Sequence, residues 1–158
     1  MVDNQTPPRT ADDQPRRCAA PIEHLSFEIM SQIFLHCLPE ESLPHARTDE
    51  APALLGRICS LWRAIALSTP QLWAGRTLSG LGFPTPYYLK QAMAAAEWKI
   101  RAVSCLLLYQ LWYTPDGVLD VILPHCSQWK HIGASLEPAA WNKIYSAISQ
   151  GAPGLQSL

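Results

Sequence analysis

Residues 22–40 read IEHLSFEIMSQIFLHCLPE, and residues 51–73 read APALLGRICSLWRAIALSTPQLW. In the first stretch Ser26 is placed to cap a helix, because its hydroxyl can accept from backbone N–H groups two or three residues on. Glu28 in the first turn complements the helix dipole. Pro39 ends the run, since the residue before a proline is pushed out of helical geometry. The spacing therefore predicts a helix over 26–38. At roughly 100° per residue, Phe27, Ile29, Met30, Ile33, Phe34, Cys37 and Leu38 spread over an arc of about 180°, and Leu35 falls outside even that. Two readings stay open: a core helix enclosed on most sides, or a helix with its own domain on one flank and another protein on the other.

Residues 39–50 (PEESLPHARTDE) form a polar loop. A second helical region begins near Pro52, where proline is tolerated because first-turn N–H groups have no helical acceptor. Leu54, Leu55, Ile58, Cys59, Trp62, Ile65 and Ala66 recur at helical spacing up to Ser68. Gly56 or the Cys59–Ser60 junction divides this run into two short helices. Pro70 closes it, and Leu72 and Trp73 fold back onto it as anchors. A unit of this size is marginal alone. Its apolar side chains exceed what it can bury, which implies a permanent neighbour.

Together the two stretches resemble an F-box, in the F-box-like form. The pattern is an L-P-x-E-(I/L)-(L/M)-x-x-I-F-L-H-C-L-P run followed by L-x-x-(V/I)-C-x-x-W-R-x-I-A-L-S-T-P-x-L-W, and it covers residues 22–73. One departure is Leu25-Ser26 where the family commonly has Leu-Pro; serine keeps the helix start but lacks the rigid ring that packs on the partner. The resemblance implies a non-catalytic adaptor, docked on the Skp adaptor of a cullin–RING (SCF) ubiquitin ligase, with the rest of the chain recruiting a protein substrate for ubiquitin-dependent degradation. Helices seated in an apolar groove suit the wide apolar arc. The resemblance assigns docking to Leu25, Glu28, Ile29, Ile33, Phe34, Leu54 and Leu55, and assigns Cys59, Trp62, Ile65, Leu72 and Trp73 to the structural core of the F-box.

Composition bounds the rest. The chain has 158 residues, 48% hydrophobic and 16% charged, enough apolar material for a core and too little charge for a wholly disordered chain. A net charge of -1 leaves no basic excess for a phosphate backbone, which argues against a nucleic-acid partner. Residues 1–20 lack hydrophobic periodicity and an apolar signal core, so they read as a disordered leader. The apolar stretch around 102–113 is too short and interrupted to span a bilayer, so no membrane association is expected. Cys18, Cys37, Cys59, Cys105 and Cys126 form no CxxC pair, which points to reduced thiols and a cytoplasmic or nuclear location.

The F-box-like domain is expected over 21–75 and a partial leucine-rich-repeat-like region over 76–158. In the latter, Val103-x-x-Leu106, Trp129-x-x-Ile132 and Leu155-x-x-Leu158 recur at an offset of 26 residues. Strand-like pieces VSCLLLYQL (103–111) and WKHIGASL (129–136) alternate with helical patterns over 117–125 and 139–150. A strand-plus-helix unit of this length is the sequence signature of leucine-rich repeats. A helix over 86–97 bridges to the first strand. No capping unit follows Leu158, so a truncated product or fragment is expected, with Leu155 and Leu158 at an exposed edge. The expected fold class is thus mainly α: a small three-helix F-box followed by a truncated α/β repeat segment.

Catalytic signatures are lacking. No GxxxxGK[ST], GxSxG, HExxH or GxGxxG occurs. His36-Cys37 and His125-Cys126 are the only His/Cys clusters, and adjacent helical residues point about 100° apart, a poor geometry for one metal. The sequence therefore predicts no cofactor, no metal and no enzyme. Two alternatives stand beside the receptor reading: an adaptor-binding fragment that delivers no substrate, and a thiol- or zinc-dependent enzyme using the two His-Cys pairs.

Overall fold

The computed structural model describes residues 21–80 and 85–157. The leader expected over 1–20, and Leu158, lie outside the described residues. A single 3-10 turn at Pro21–His24 leads into α1, Phe27–His36. The second helical region divides where Cys59 takes an extended conformation (φ -155°, ψ 173°), giving α2, Leu55–Ile58, and α3, Ser60–Leu67. A 3-10 turn at Pro70–Trp73 then returns the chain onto α1 and α3. Phe34 and Trp62 meet with ring centroids 5.0 Å apart. Thr69 Oγ1 donates to the Ile65 carbonyl at 2.8 Å, so the Ser31 hydroxyl 3.0 Å away is the donor in the buried contact between the two.

Beyond this helical unit the chain alternates strand and helix: β1 Gly75–Ser79, α4 Thr85–Ala102, β2 Leu107–Trp112, α5 Asp116–Ile122, β3 Trp129–Ser135 and α6 Pro138–Ser149. The strands are parallel in the order β1-β2-β3, with Leu78 opposite Leu111 and Leu111 opposite Ala134. Parallel neighbours cannot be joined by tight turns, so each crossover carries a helix. The described residues are mixed α/β, and not mainly α in the sense expected: the sheet organises the second half.

Four expectations are corrected. Strand β1 was unforeseen, and the expected boundary after residue 75 falls inside it. The buried apolar side chains run without a break from Met30 to Ile144 across that boundary. Helix α4 extends to Ala102, which is fully buried, instead of ending near residue 97. The next strand therefore starts only at Leu107. Leu107 faces Trp129 and Leu108 faces His131 across an irregularity in the register, so the 26-residue offset fails between these two units. Val103, matched to Trp129 by that offset, sits outside the strand at φ 53°. The offset does hold for the next step, where His131 bridges Ser157, and Gln156 N donates to the Lys130 carbonyl at 2.8 Å. Leu155, expected at an exposed edge, is half-buried against the core.

The polar loop after α1 also has a structural task. His45 forms a parallel bridge with Thr77, Thr77 N donates to the Pro44 carbonyl at 2.9 Å, and Thr77 Oγ1 donates to the Leu43 carbonyl at 2.7 Å. The loop so covers the outer edge of β1, whose backbone groups would otherwise lack partners.

Helix α4 shows why the halves are inseparable. Gln91, Ala95, Trp98 and Ala102 form its buried face. Trp98 meets Trp73 edge-on at 5.3 Å, tying α4 to the 3-10 turn of the helical unit. Trp98→Ala is expected to cost about 3–5 kcal/mol. Urea denaturation should still show one transition by far-UV circular dichroism and tryptophan fluorescence alike; two separated transitions would mean that the halves fold independently.

Candidate functional site

Helix α1 begins where Ser26 adopts an extended conformation and its Oγ accepts from Ile29 N at 3.4 Å. Glu28 is fully exposed, and its carboxyl is held below the ordinary glutamate range by its own backbone N–H first and by the Ser26 hydroxyl second. The first of these satisfies a backbone donor that the helix start leaves without a carbonyl partner.

The wide apolar arc of α1 resolves into two flanks. Met30 and Phe34, four residues apart, are 2% and 0% exposed in the core. Ile29 and Ile33, the adjacent i, i+4 pair, are 50% and 38% exposed. Of the two readings that the sequence left open, full enclosure is therefore excluded. One flank belongs to the domain and the other faces outward.

The remaining expected docking residues divide in the same way. Leu25 and Leu54 are exposed, as is Glu28. Phe34 and Leu55 are buried, so neither offers a docking surface in this conformation, and both are corrected to core residues. Phe34 is turned inward by Trp62, while Leu55 opens α2 and lies beneath it in the buried cluster.

Among the expected core residues, Ile65, Leu72 and Trp73 are buried and Trp62 is half-buried against them. Cys59 is not a core residue: it is exposed, and its Sγ accepts from Trp62 N at 3.4 Å, capping α3. The extended backbone that splits the two helices puts the thiol in the cap position.

Sequence periodicity missed part of the exposed apolar surface. Phe27, Ile58, Leu61 and Leu67 are each between 45% and 55% exposed. Phe27 was counted in the arc and Ile58 in the helical run, and neither was assigned to docking. The break at Cys59 changes the phase of the run, and one continuous wheel cannot show that. With Leu25, Ile29, Ile33 and Leu54, these side chains give the helical unit eight of the sixteen exposed large apolar residues among the described residues.

Among the described residues no group of three or more His, Cys, Asp or Glu side chains gathers to hold a metal. Cys126 points its thiol at the Ala147 carbonyl, 3.4 Å away, pinning the turn after α5 to α6. Burial, and then the charge of Lys99, lowers the pKa of His125 and favours its neutral form. No helix among the described residues is long and apolar enough to cross a membrane.

Ser26→Ala should raise the Glu28 pKa toward its ordinary value, though not fully, because the backbone N–H remains. It should also remove about 1 kcal/mol of stability through the lost cap. A carboxylate whose pKa is lowered on folding stabilises above its unfolded pKa, and that contribution disappears as pH falls through the folded value. The wild-type chain should therefore lose more stability than the variant on acidification through the carboxylate range. An NMR titration of the Glu28 side chain and urea denaturation at both ends of that range check this.

No protein-family model, curated protein or solved structure matches this chain.

Proposed function

We propose that this chain is an F-box substrate-receptor subunit, docking the Skp adaptor of a cullin–RING ubiquitin ligase through the outer flank of α1 and presenting its strand–helix units to a protein substrate. The observation that carries the reading is the division of α1. Ile29 and Ile33 stand exposed on a helix whose Met30 and Phe34 are sealed in the core. Exposed aliphatics at i, i+4 spacing are what a helix offers to an apolar groove. Completing their burial is worth about 1 kcal/mol for each isoleucine, scaled from full burial of such a side chain.

The family resemblance of residues 22–73 supports the same reading. The strand–helix alternation after β1 supports a leucine-rich-repeat-like second half, which would put the recruiting surface on the same rigid body as the docking face. The core that runs across the boundary supports such a geometry.

The test is copurification of the full chain with the Skp adaptor. Ile29→Asp/Ile33→Asp should abolish it while leaving stability within about 0.5 kcal/mol, as for exposed positions elsewhere. Phe34→Ala is a poor probe, because loss of a fully buried ring costs about 3–5 kcal/mol and would weaken docking through unfolding. A folded wild-type chain that does not bind the adaptor would refute the proposal.

A further inference from the structure

The four most exposed large apolar side chains among the described residues belong to one short stretch. Leu89, Met93 and Ile100 on α4, and Val103 just beyond its end, are between 60% and 73% exposed. Ala96 is exposed with them. At roughly 100° per residue, Leu89, Met93, Ala96 and Ile100 fall within an arc of about 60°. The buried face of the same helix, with Gln91, Ala95, Trp98 and Ala102, points the opposite way. A helix that packs on one side normally turns polar residues to water on the other. A continuous apolar strip there marks an interaction surface, and none of its residues belongs to the docking flank on α1.

The spacing of Leu89, Met93, Ala96 and Ile100 is the alternation of four and three that makes a coiled-coil seam. This seam fits its own reverse. With a two-fold axis passing between residues 94 and 95, Met93 of each copy meets the small Ala96 of the other. Leu89 of each then meets Ile100 of the other, and the seam buries no charged or polar side chain. Lys90 and Glu97 are exposed along one flank. Among the described residues Lys90 has no ion-pair partner, and Glu97 meets Arg101 of its own helix at 2.8 Å. Antiparallel pairing brings Lys90 of each copy beside Glu97 of the other, two opposite-charge contacts in all. Parallel pairing would set Ala92 against Glu97 and Lys99 against Ser104, with no such contact. Size and charge together favour a second copy of this chain, reversed, as the occupant.

We propose that the chain forms an antiparallel homodimer through the outer face of α4. The alanines at 92 and 96 let the two helix axes approach to about 8 Å, the close end of the usual range. The 18 residues of α4 span about 27 Å, and one helix is about 10 Å wide. Such a strip is well below the roughly 800 Å² a side of a standard interface. The dimer is therefore reversible, with a dissociation constant on the order of tens of micromolar. It uses no residue of the docking flank, so it stands or falls separately from the receptor reading.

The experiment is sedimentation velocity of the full chain from about 1 µM to about 500 µM, a range that brackets this affinity. A monomer–dimer equilibrium is expected. Met93→Glu and, separately, Ile100→Glu should each weaken it about tenfold or more, because the two-fold axis puts every new charge into the seam twice. Both positions are exposed, so circular dichroism should show an unchanged fold. Lys90→Glu should weaken the dimer about fivefold by replacing two attractions with two repulsions. Lys90→Glu/Glu97→Lys should recover most of that loss, an exchange that the parallel arrangement would not support. Ile29→Asp/Ile33→Asp should leave the equilibrium unchanged. A folded wild-type chain that stays monomeric over the whole range overturns the proposal. So does a dimer indifferent to the two glutamate substitutions in the seam, one that the charge exchange fails to rescue, or one abolished by the changes on α1.

Discussion

Trp73 is held on three sides, and the rest of the structure depends on that grip. Its indole N–H donates to the Ala66 carbonyl at 2.8 Å, its ring meets the edge of Trp98 at 5.3 Å, and the Arg101 guanidinium stands over it at 4.5 Å. The first contact ties it to α3 and the other two to α4. A buried indole needs both a partner for its N–H and apolar contact for its rings, and this position supplies them from different halves of the chain. The small helical unit so gains a core that it could not build alone, and β1 emerges from the joint already aligned for pairing.

The joint also explains why α1 keeps an uncovered flank. The strand–helix half approaches from the side of Thr69 and Trp73, where Met30, Ser31 and Phe34 are sealed. Nothing in the described chain reaches the other flank with Ile29 and Ile33. The apolar surplus inferred from composition is thus satisfied twice: in part by the second half of the chain, and in part, on the proposed reading, by another protein.

Inside the sheet the same packing produces a polar anomaly. Arg76 and Tyr109 face each other across β1 and β2 and are both buried. Burial raises the pKa of Tyr109 to about 12, so the phenol stays neutral and gives Arg76 no counter-charge at neutral pH. Aromatic contact with Trp98 offsets part of the cost of desolvating the guanidinium.

Local chemistry by itself determined the Ser26 cap and the turn after Pro70, which follow from capping and proline geometry acting over a few residues, and it left the division of the second helical region open between Gly56 and Cys59–Ser60. Periodicity also located the cores of β2, β3, α5 and α6. Tertiary structure alone decided the rest. Which flank of the α1 arc is buried depends on where Trp62 and Thr69 sit, and a helical wheel contains no neighbours. Strand β1 was invisible because GRTLS has no apolar alternation; its pairing with β2 and the loop at residues 43–45 makes it a strand. The extra turn of α4 to Ala102 shifted β2 and broke the even repeat, because burial against the rest of the core, not spacing in the chain, fixes where that helix ends. Arg76 stood out by no pattern in the sequence, and only the packing of α4 on the sheet, which puts Trp98 and Gln91 against it, makes it a buried cation.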